Sequence, residues 1–410
     1  MRSQKLVGAT SGRQESKDRC PYLSVEVIGT AKLSPTEPLL NHRSTIVSQY
    51  KSTKGFDQMI NTKILKIIGN KEEDEKNIER AAQELRQGGL VAFPTETVYG
   101  LGGNGLDPLV VDKIYKAKGR PSDNPMILHI SDIKDLAPLV LNIPPIAEKL
   151  INKFWPGPLT LIFKKSSIVP ERVTGGLDTV AIRMPAHIIA NKLIKKAGLP
   201  IAAPSANISG KPSPTKGEHV IKDMMGRVEI ILEDKQSNIG LESTVLDITP
   251  PTPIILRPGA ITYRDLKEIL GKVDIDRSIM EGKSQNLAPK SPGMKYTHYA
   301  PNAPMTIVQG TRWKVIEKIN EMAAEYIAQG RHVGILVTQE NIEYYTRGTI
   351  MCAGSRDKPD TIAINLFDLL RQFDEENVDI IFAEGIEGEG IEMAIKNRMN
   401  KAAGHRIICV

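Results

Sequence analysis

Hydroxyl, carboxylate and phenol side chains are concentrated in one short stretch, Phe93 to Gly103, which reads Phe-Pro-Thr-Glu-Thr-Val-Tyr-Gly-Leu-Gly-Gly. The apolar residues 90–93 are too few for a helix and predict a buried strand, which Pro94 ends. Glycines at the far end of the stretch allow the backbone to approach a ligand closely. Taken alone, the stretch is more typical of a polar turn between two core elements than of a site.

Further chemistry is predicted where other strands end. An apolar strand followed by proline and small polar residues occurs three times, so we expect several strand ends to meet at one cleft, as they do in open α/β sheets. Lys118 and Arg120 lie together in a proline-bounded loop, where solvated surface is the commoner fate of such residues. Arg183, in the apolar strand 179–184, requires an anionic partner, either a carboxylate of the fold or a ligand. His129 alternates with apolar strand neighbours, as structural histidines often do.

Composition sets limits on these hypotheses. The chain has 410 residues, 40% of them hydrophobic and 25% charged, which predicts two or three soluble domains. It contains no apolar run of membrane-spanning length and no secretory signal, so we expect a cytoplasmic protein with no membrane contact. Its three cysteines are too scattered for a disulfide framework or a zinc site. The net charge of +6 is compatible with an anionic ligand such as a nucleotide, and leaves weak RNA binding open.

Four segments are predicted along the chain. Residues 1–58 have weak periodicity and predict a flexible extension, followed by a first α/β domain over 59–271. In that domain, Asp74 is the predicted cap of a helix whose apolar positions are Ile78, Ala81, Ala82 and Leu85. Residues 272–303 predict a linker, and its proline-rich part 284–301 predicts a lid. Residues 304–410 alternate as β and α and predict a smaller parallel-sheet domain.

Seven ordered motifs and the linker carry a family resemblance. They are 93–103, 118–121 with 124–129, 155–160, 179–185, 203–207, 242–244, 256–259 and 291–301. The sequence from about residue 60 to its end thereby resembles the long, two-domain form of the threonylcarbamoyl-AMP synthases. This resemblance implies a YrdC-like, twisted, mixed open sheet with helices, followed by a smaller Rossmann-like α/β domain. The first 58 residues have no counterpart in it.

The resemblance also implies a reaction. L-Threonine, bicarbonate or CO2, and ATP would give threonylcarbamoyl-adenylate and pyrophosphate, and the tRNA threonylcarbamoyltransferase machinery would use the product. By motif match, the threonine-binding residues are Thr95, His129, Arg183, Ala203 and Ser243. The ATP-binding residues are Arg120, Asn124, Thr179, Ser205, Ser213, Arg257 and Tyr296. Lys118 and Arg120 are the predicted catalytic residues, and Mg2+ is expected to arrive with ATP, without a dedicated protein metal site.

Two alternatives remain at this stage. A related carbamoyltransferase of hydrogenase maturation would call for acylphosphatase-like and zinc-finger segments, which the sequence lacks. A double-stranded RNA-binding, translation-associated module would instead use a concave basic surface. Salt-dependent RNA affinity without ATP consumption would favour this second alternative.

The weak periodicity of residues 1–58 generates a first prediction. A chain lacking these residues should keep its thermal midpoint and its rate of pyrophosphate release nearly unchanged, because the extension contributes little to a packed core. Calorimetry and a pyrophosphate assay on the full and shortened chains check this. A large drop in either quantity would show that the extension packs on the catalytic domain.

Overall fold

The protein is described from a computed structural model, which covers residues 60–281 and 298–410. The predicted extension and residues 284–297 of the predicted lid lie outside these ranges. None of the helices in the described residues is long and apolar enough to cross a membrane.

The first domain is built on a large sheet with helices packed against it. Its helices are α1 (Lys71–Arg86), α2 (Pro108–Lys118), α3 (Pro145–Phe154), α4 (Glu171–Thr174), α5 (Ile188–Ala197), α6 (Gly217–Met224), α7 (Tyr263–Leu270) and α8 (Arg277–Glu281). Its strands are β1 (Lys63–Lys66), β2 (Val91–Phe93), β3 (Gly100–Asn104), β4 (Ile127–His129), β5 (Leu159–Lys164), β6 (Thr179–Arg183), β7 (Ile201–Ala202), β8 (Ile230–Glu233), β9 (Thr244–Asp247), β10 (Ile254–Arg257) and β11 (Asp274–Ile275).

The sheet is mixed, and its strand order differs greatly from the chain order. Its 11 strands follow the order β1-β8-β2-β3-β7-β4-β6-β5-β9-β10-β11. Strand β4 runs parallel to β6, whereas β7 pairs with β4 in the antiparallel direction. The mixed sheet expected from the family resemblance is therefore confirmed.

Alternate side chains of the central strands point to opposite faces of the sheet, as the sequence predicts. On β4 and just beside it, Met126, Leu128 and Ile130 enter the main core, while Ile127 packs in a small cluster on the opposite face. On β6, Val180 and Ile182 likewise face the main core and Ala181 faces the small cluster. Because the period is two, His129 and Arg183 at the strand ends share the face of that small cluster.

The second domain is a separate parallel sheet. Its strands are β12 (Met305–Gln309), β13 (Val333–Val337), β14 (Thr349–Cys352), β15 (Ile380–Glu384) and β16 (Ile407–Cys409), in the order β14-β13-β15-β12-β16. Its helices are α9 (Arg312–Ala328), α10 (Pro359–Glu375) and α11 (Ile391–Ala402). All of its strand pairs are parallel, which confirms the predicted small parallel-sheet unit.

The domain boundary differs from the predicted one. Strand β11 and helix α8 lie within the segment 272–303 that was predicted to be a linker, and β11 extends the first sheet as an edge strand beside β10. Further on, Tyr299 and Ala303 are buried in the core of the second domain. The sequence predicts a linker at 272–281 because its periodicity is weak. A two-residue strand and a five-residue helix are too short to show a period.

Buried polar contacts join the two domains. Arg371 of α10 forms an ion pair of 2.7 Å with Asp223 of α6, and both side chains are almost fully buried. One turn earlier, Asp368 lies 3.0 Å from Nε2 of His219. Helix α10 of the second domain therefore packs directly against α6 of the first.

The cap of α1 corrects a sequence prediction. Asn70, and not Asp74, is the N-cap, since its side-chain oxygen accepts from the backbone N–H groups of Glu72 and Glu73. Asp74 lies within the first turn, and its carboxylate accepts from the N–H groups of Ile68 and Gly69. Asn and Asp are both common at the N-cap position. The first turn of α1 has few apolar residues, so the spacing of apolar positions could not show that the helix begins before Asp74.

This correction yields a prediction on stability. Replacing Asn70 by Ala should lower the free energy of unfolding by about 1 kcal/mol, because two N–H groups lose their acceptor. Asn70→Asp, which keeps an acceptor oxygen, should be close to neutral. Denaturant titrations of both variants provide the measurement, and a neutral Asn70→Ala would contradict the capping role.

Candidate active site

Strand ends from across the first sheet meet at one cleft that encloses about 650 Å³, part of it open to solvent. The loop after β2, the ends of β4, β6 and β10, and the start of β9 all reach it. The cleft predicted from the strand ends is therefore present. The predicted site residues that line it are Thr95, Arg120, His129, Arg183, Ala203, Ser205, Ser213, Ser243 and Arg257.

Arg183 is neutralised within the fold. Its guanidinium forms a buried ion pair of 2.6 Å with Glu96. Nη1 also donates to the Thr97 hydroxyl at 2.8 Å, and Nε donates to the Gly157 carbonyl at 3.1 Å. Burial would raise the pKa of Glu96, but the charge of Arg183 and the hydrogen bonds from the Ala186 N–H and from Arg183 together outweigh it and hold the pKa below its usual range. The anionic partner that Arg183 requires is therefore a carboxylate of the fold, Glu96. The guanidinium of Arg183 still lines the cleft.

His129 is a neutral group in this setting. Its ring is buried, and Nδ1 lies 3.2 Å from the Ile127 carbonyl oxygen. Burial, with the nearby charge of Arg183, lowers its pKa to about 3. The side chain can therefore orient a ligand by hydrogen bonding, but at neutral pH it is not the imidazolium ion that could act as an acid.

Arg120 presents an unused donor at the cleft. Its Nη2 donates to the carbonyls of Asn124 and Pro125, whereas its buried Nε has no hydrogen-bond partner among residues 60–281 and 298–410. Burial lowers the pKa of its guanidinium to about 10. A partly buried cation whose buried N–H is unpaired favours an anionic ligand at this point.

Lys118 lies outside the lining of the cleft. It is the last residue of α2 and is buried, and its ammonium group donates to the carbonyls of Ser205 and Asn207 at 2.5 and 2.6 Å. A third contact, of 3.3 Å, reaches Oδ1 of Asn207. The solvated surface considered for Lys118 is therefore wrong, and in this structure its visible contacts fix the loop 205–207. Its catalytic role stays a prediction.

The remaining predicted nucleotide residues divide into three groups. Ser205 and Ser213 line the cleft, while Asn124 and Thr179 do not. Asn124 is nevertheless fully buried, and its amide atoms have no hydrogen-bond partner among the described residues. Tyr296 lies outside the described residues. The individual assignments to threonine and ATP stay predictions.

The cleft also contains residues to which the motif match assigned no ligand. They are Thr97, Val98, Tyr99, Gly100, Ile127, Pro204, Asn207, Glu242, His298 and Tyr299. Most of these neighbour an assigned residue, so proximity in sequence was a usable signal for them. His298 and Tyr299 come from the segment just before the second domain, where the sequence predicts a lid.

The cleft can position an anionic substrate but has no evident covalent catalyst. Three arginines line it: Arg183 and Arg257 are buried, and Arg120 is partly buried. Neither cysteine in the described part of the chain lines it, and its hydroxyls form no Ser-His-Asp arrangement there. Such a site stabilises developing negative charge through fixed cations and hydrogen-bond donors.

Comparisons with known proteins agree with this geometry. Residues 83–259 match the family described as "Telomere recombination", and residues 261–404 match "Threonylcarbamoyl-AMP synthase, C-terminal domain". The chain is 49% identical to the threonylcarbamoyl-AMP synthase of Pyrococcus abyssi over 82% of its own length and 97% of that protein's. It is also 49% identical to the Bacillus subtilis threonylcarbamoyl-AMP synthase, over 82% and 95% of the two lengths.

A solved structure is similar over both domains. The crystal structure of P. abyssi Sua5 complexed with L-threonine superposes with a TM-score of 0.80 at 47% identity. The match covers 85% of this chain and 99% of that one. The two-domain architecture is therefore shared along nearly the whole length of that relative.

The buried histidines generate a prediction on pH. His129 and His298 both have a pKa lowered to about 3, mainly by burial. In the unfolded chain they would titrate near about 6.5, so between these values the unfolded chain binds more protons. Stability is therefore complete above about pH 6.5 and falls as the pH is lowered, by up to about 1.4 kcal/mol per pH unit for each histidine.

Denaturant titrations at about pH 7 and about pH 5 test this prediction. His129→Gln should reduce the loss of stability between the two values, because a neutral amide takes up no proton. His332→Gln is the matched control, since this ring lies exposed ahead of β13. An unchanged pH dependence in His129→Gln would show that His129 is not the buried neutral group described above.

Proposed function

The chain is an enzyme of the threonylcarbamoyl-AMP synthase family, and we propose that its cleft converts L-threonine, bicarbonate or CO2, and ATP into threonylcarbamoyl-adenylate and pyrophosphate. One observation of the structure supports this most: every predicted threonine-binding residue lines a single cleft together with Arg120, Ser205, Ser213 and Arg257. A relative whose structure superposes on this chain with a TM-score of 0.80 was crystallised with L-threonine, which supports threonine as the amino-acid substrate.

Threonine would lie at the end of the cleft formed by β4 and β6. Its carboxylate is matched by the guanidinium of Arg183, which Glu96 and Thr97 hold in place. Its hydroxyl has Thr95 and Ser243 within the same lining, and its methyl group has Ala203. His129, neutral at working pH, would serve as a hydrogen-bonding wall.

The reaction needs positioning more than a protein nucleophile. The threonine amine forms an N–C bond with the carbon of CO2 and releases a proton, which gives a carbamate. With bicarbonate, the C–OH bond breaks as the N–C bond forms, and the hydroxyl leaves as water with a proton of the amine. A carbamate oxygen then bonds to the α-phosphorus of ATP while the bond from that phosphorus to the bridging oxygen breaks, and pyrophosphate leaves. The unpaired Nε of Arg120 is suited to the negative charge in these steps, and exclusion of water would protect the carbamate.

Mg2+ remains a proposed companion of ATP. The only carboxylate among the lining residues is Glu242, and its oxygens are already bound by Ser213 and Arg398. This donor set fits an ion carried by phosphate oxygens and water better than one bound in a protein cage. The ion would neutralise the leaving pyrophosphate. The chain's own residues would orient the nucleotide.

The product would pass to the tRNA threonylcarbamoyltransferase machinery, since an adenylated carbamate is an activated group ready for transfer. This would place the reaction in the cytoplasm.

Pyrophosphate release by the full chain tests the proposal. With ATP, bicarbonate and Mg2+ present, we expect release to depend on L-threonine. Arg120→Met should lower kcat/KM by roughly 10- to 100-fold, because a charge-assisted contact to the reacting groups is lost. Arg264→Met, which removes an exposed arginine from α7, is the matched control and should react as the wild type does.

Two results would contradict the proposal. One is pyrophosphate release that is indifferent to threonine. The other is salt-dependent retention of RNA without any consumption of ATP, which would favour the RNA-binding module instead.

A further inference from the structure

A cation of the second domain is buried beside the cleft of the first. Arg398 of α11 has no solvent-exposed side-chain area. Its Nε donates to Oε2 of Glu242 at 2.9 Å, and its Nη1 donates to the Pro258 carbonyl at 2.7 Å. Its guanidinium also lies 5.9 Å from the ring centroid of Tyr299. One side chain therefore reaches three separate segments around the cleft.

Glu242 passes this contact on to the cleft. Its other oxygen, Oε1, accepts from the hydroxyl of Ser213 at 2.5 Å. Both Glu242 and Ser213 line the cleft and both are buried. Burial would raise the pKa of Glu242, but the charges of Arg398 and Arg257 and the hydrogen bonds from Ser213 and Arg398 together outweigh it and hold the pKa below its usual range. Arg398 thus keeps Glu242 as an ionised acceptor.

The consequence for Ser213 is a fixed polarity. A hydroxyl has a single hydrogen, and here that hydrogen is donated to Glu242, so only lone pairs remain for the cleft. Such an oxygen can accept from a ligand N–H or O–H group, but it has no hydrogen to give to a phosphate oxygen. The group of ATP that meets Ser213 must then be a donor.

We propose that Arg398 is a positioning residue for the nucleotide, which acts through Glu242 to make Ser213 a hydrogen-bond acceptor for a ribose hydroxyl or the adenine amino group. This inference rests on the proposed function, because it assumes ATP in the cleft. It assigns to the second domain a part in selecting the nucleotide that neither the family match nor the motifs supply.

A second contact from the same domain supports this role. Arg371 of α10 donates through Nη2 to the carbonyl of Pro212 at 2.6 Å, while it pairs with Asp223. Pro212 directly precedes Ser213, so Arg371 fixes the backbone at the point where Arg398, through Glu242, fixes the side chain. The two arginines together define where the Ser213 oxygen lies.

Binding of nucleotide analogues to the full chain tests the proposal by calorimetry. The analogues are 2′-deoxy-ATP, 3′-deoxy-ATP and inosine triphosphate, each of which lacks one candidate donor. We expect one of the three to bind the wild type more weakly than ATP by on the order of tenfold. In Ser213→Ala and Arg398→Met, the ratio of the analogue Kd to the ATP Kd should fall towards one.

Glu242→Gln provides an isosteric second variant. Because Nε of Arg398 is a donor, the new amide should turn its oxygen to Arg398 and its NH2 group to Ser213. The hydroxyl would then become a donor towards the cleft, and discrimination against the analogue should be lost although little volume changes. Lys396→Met removes a half-exposed cation, which pairs with Glu387, from the same helix and is the matched control.

Two outcomes would overturn the inference. One is a wild type that binds all three analogues as tightly as ATP. The other is discrimination that persists in both Glu242→Gln and Arg398→Met, or in Glu242→Gln alone if Arg398→Met fails to fold. Since binding is measured without turnover, a wild type that binds ATP but releases no pyrophosphate would reject the proposed function and not this inference.

Discussion

The pairing of buried arginines with two buried carboxylates is the interaction on which the cleft depends. Glu96 neutralises Arg183, and Glu242 contacts Arg398 and lies beside Arg257. A charge buried without a partner would be strongly destabilising, so each carboxylate must be in place before the cations can line a cavity. Once their charges are balanced, Arg183 and Arg257, which line the cleft, can hold a second, transient anion. The polar wall of the cleft thus depends on the arginine–carboxylate ion pairs and not on any single charged residue.

This constraint explains the distribution of roles between the two domains. The residues proposed to face threonine belong to the first domain, and the ion pair of Arg183 with Glu96 lies within that domain. The carboxylate nearest Ser213 takes its strongest partner from α11 of the second domain. The part of the cleft proposed for threonine is therefore built within the first domain, whereas the part proposed for the nucleotide is completed by the second domain.

Local pattern predicted much of this architecture. The faces of β4 and β6 followed from alternation, and the strand ends that carry Thr95 and Arg183 were recognised from apolar runs ending in polar residues. Most residues that line the cleft lie within the sequence motifs. Asn70 shows where local pattern fails, because Asn and Asp cap equally well and only the geometry of the turn distinguishes them.

Long-range pairing was beyond any local signal. Glu242 and Arg398 are 156 positions apart, and Arg371 and Asp223 are 148 apart. Nothing in the sequence around Lys118 indicates that its ammonium group turns inward to two carbonyls. Such contacts follow from the packing of whole elements, which single-residue patterns do not encode.

The pairing of β1 with β8 has a consequence for the order of synthesis. Lys63 lies opposite Ile230, so the first strand of the sheet leaves the ribosome long before its parallel partner exists. Contacts between segments so distant in sequence form late, because a long loop must close first. The nucleotide half of the cleft waits longer still, since Arg398 lies near the end of the chain. A nascent chain would therefore complete the pocket proposed for threonine first, and the contacts proposed to select the nucleotide only once translation is nearly finished.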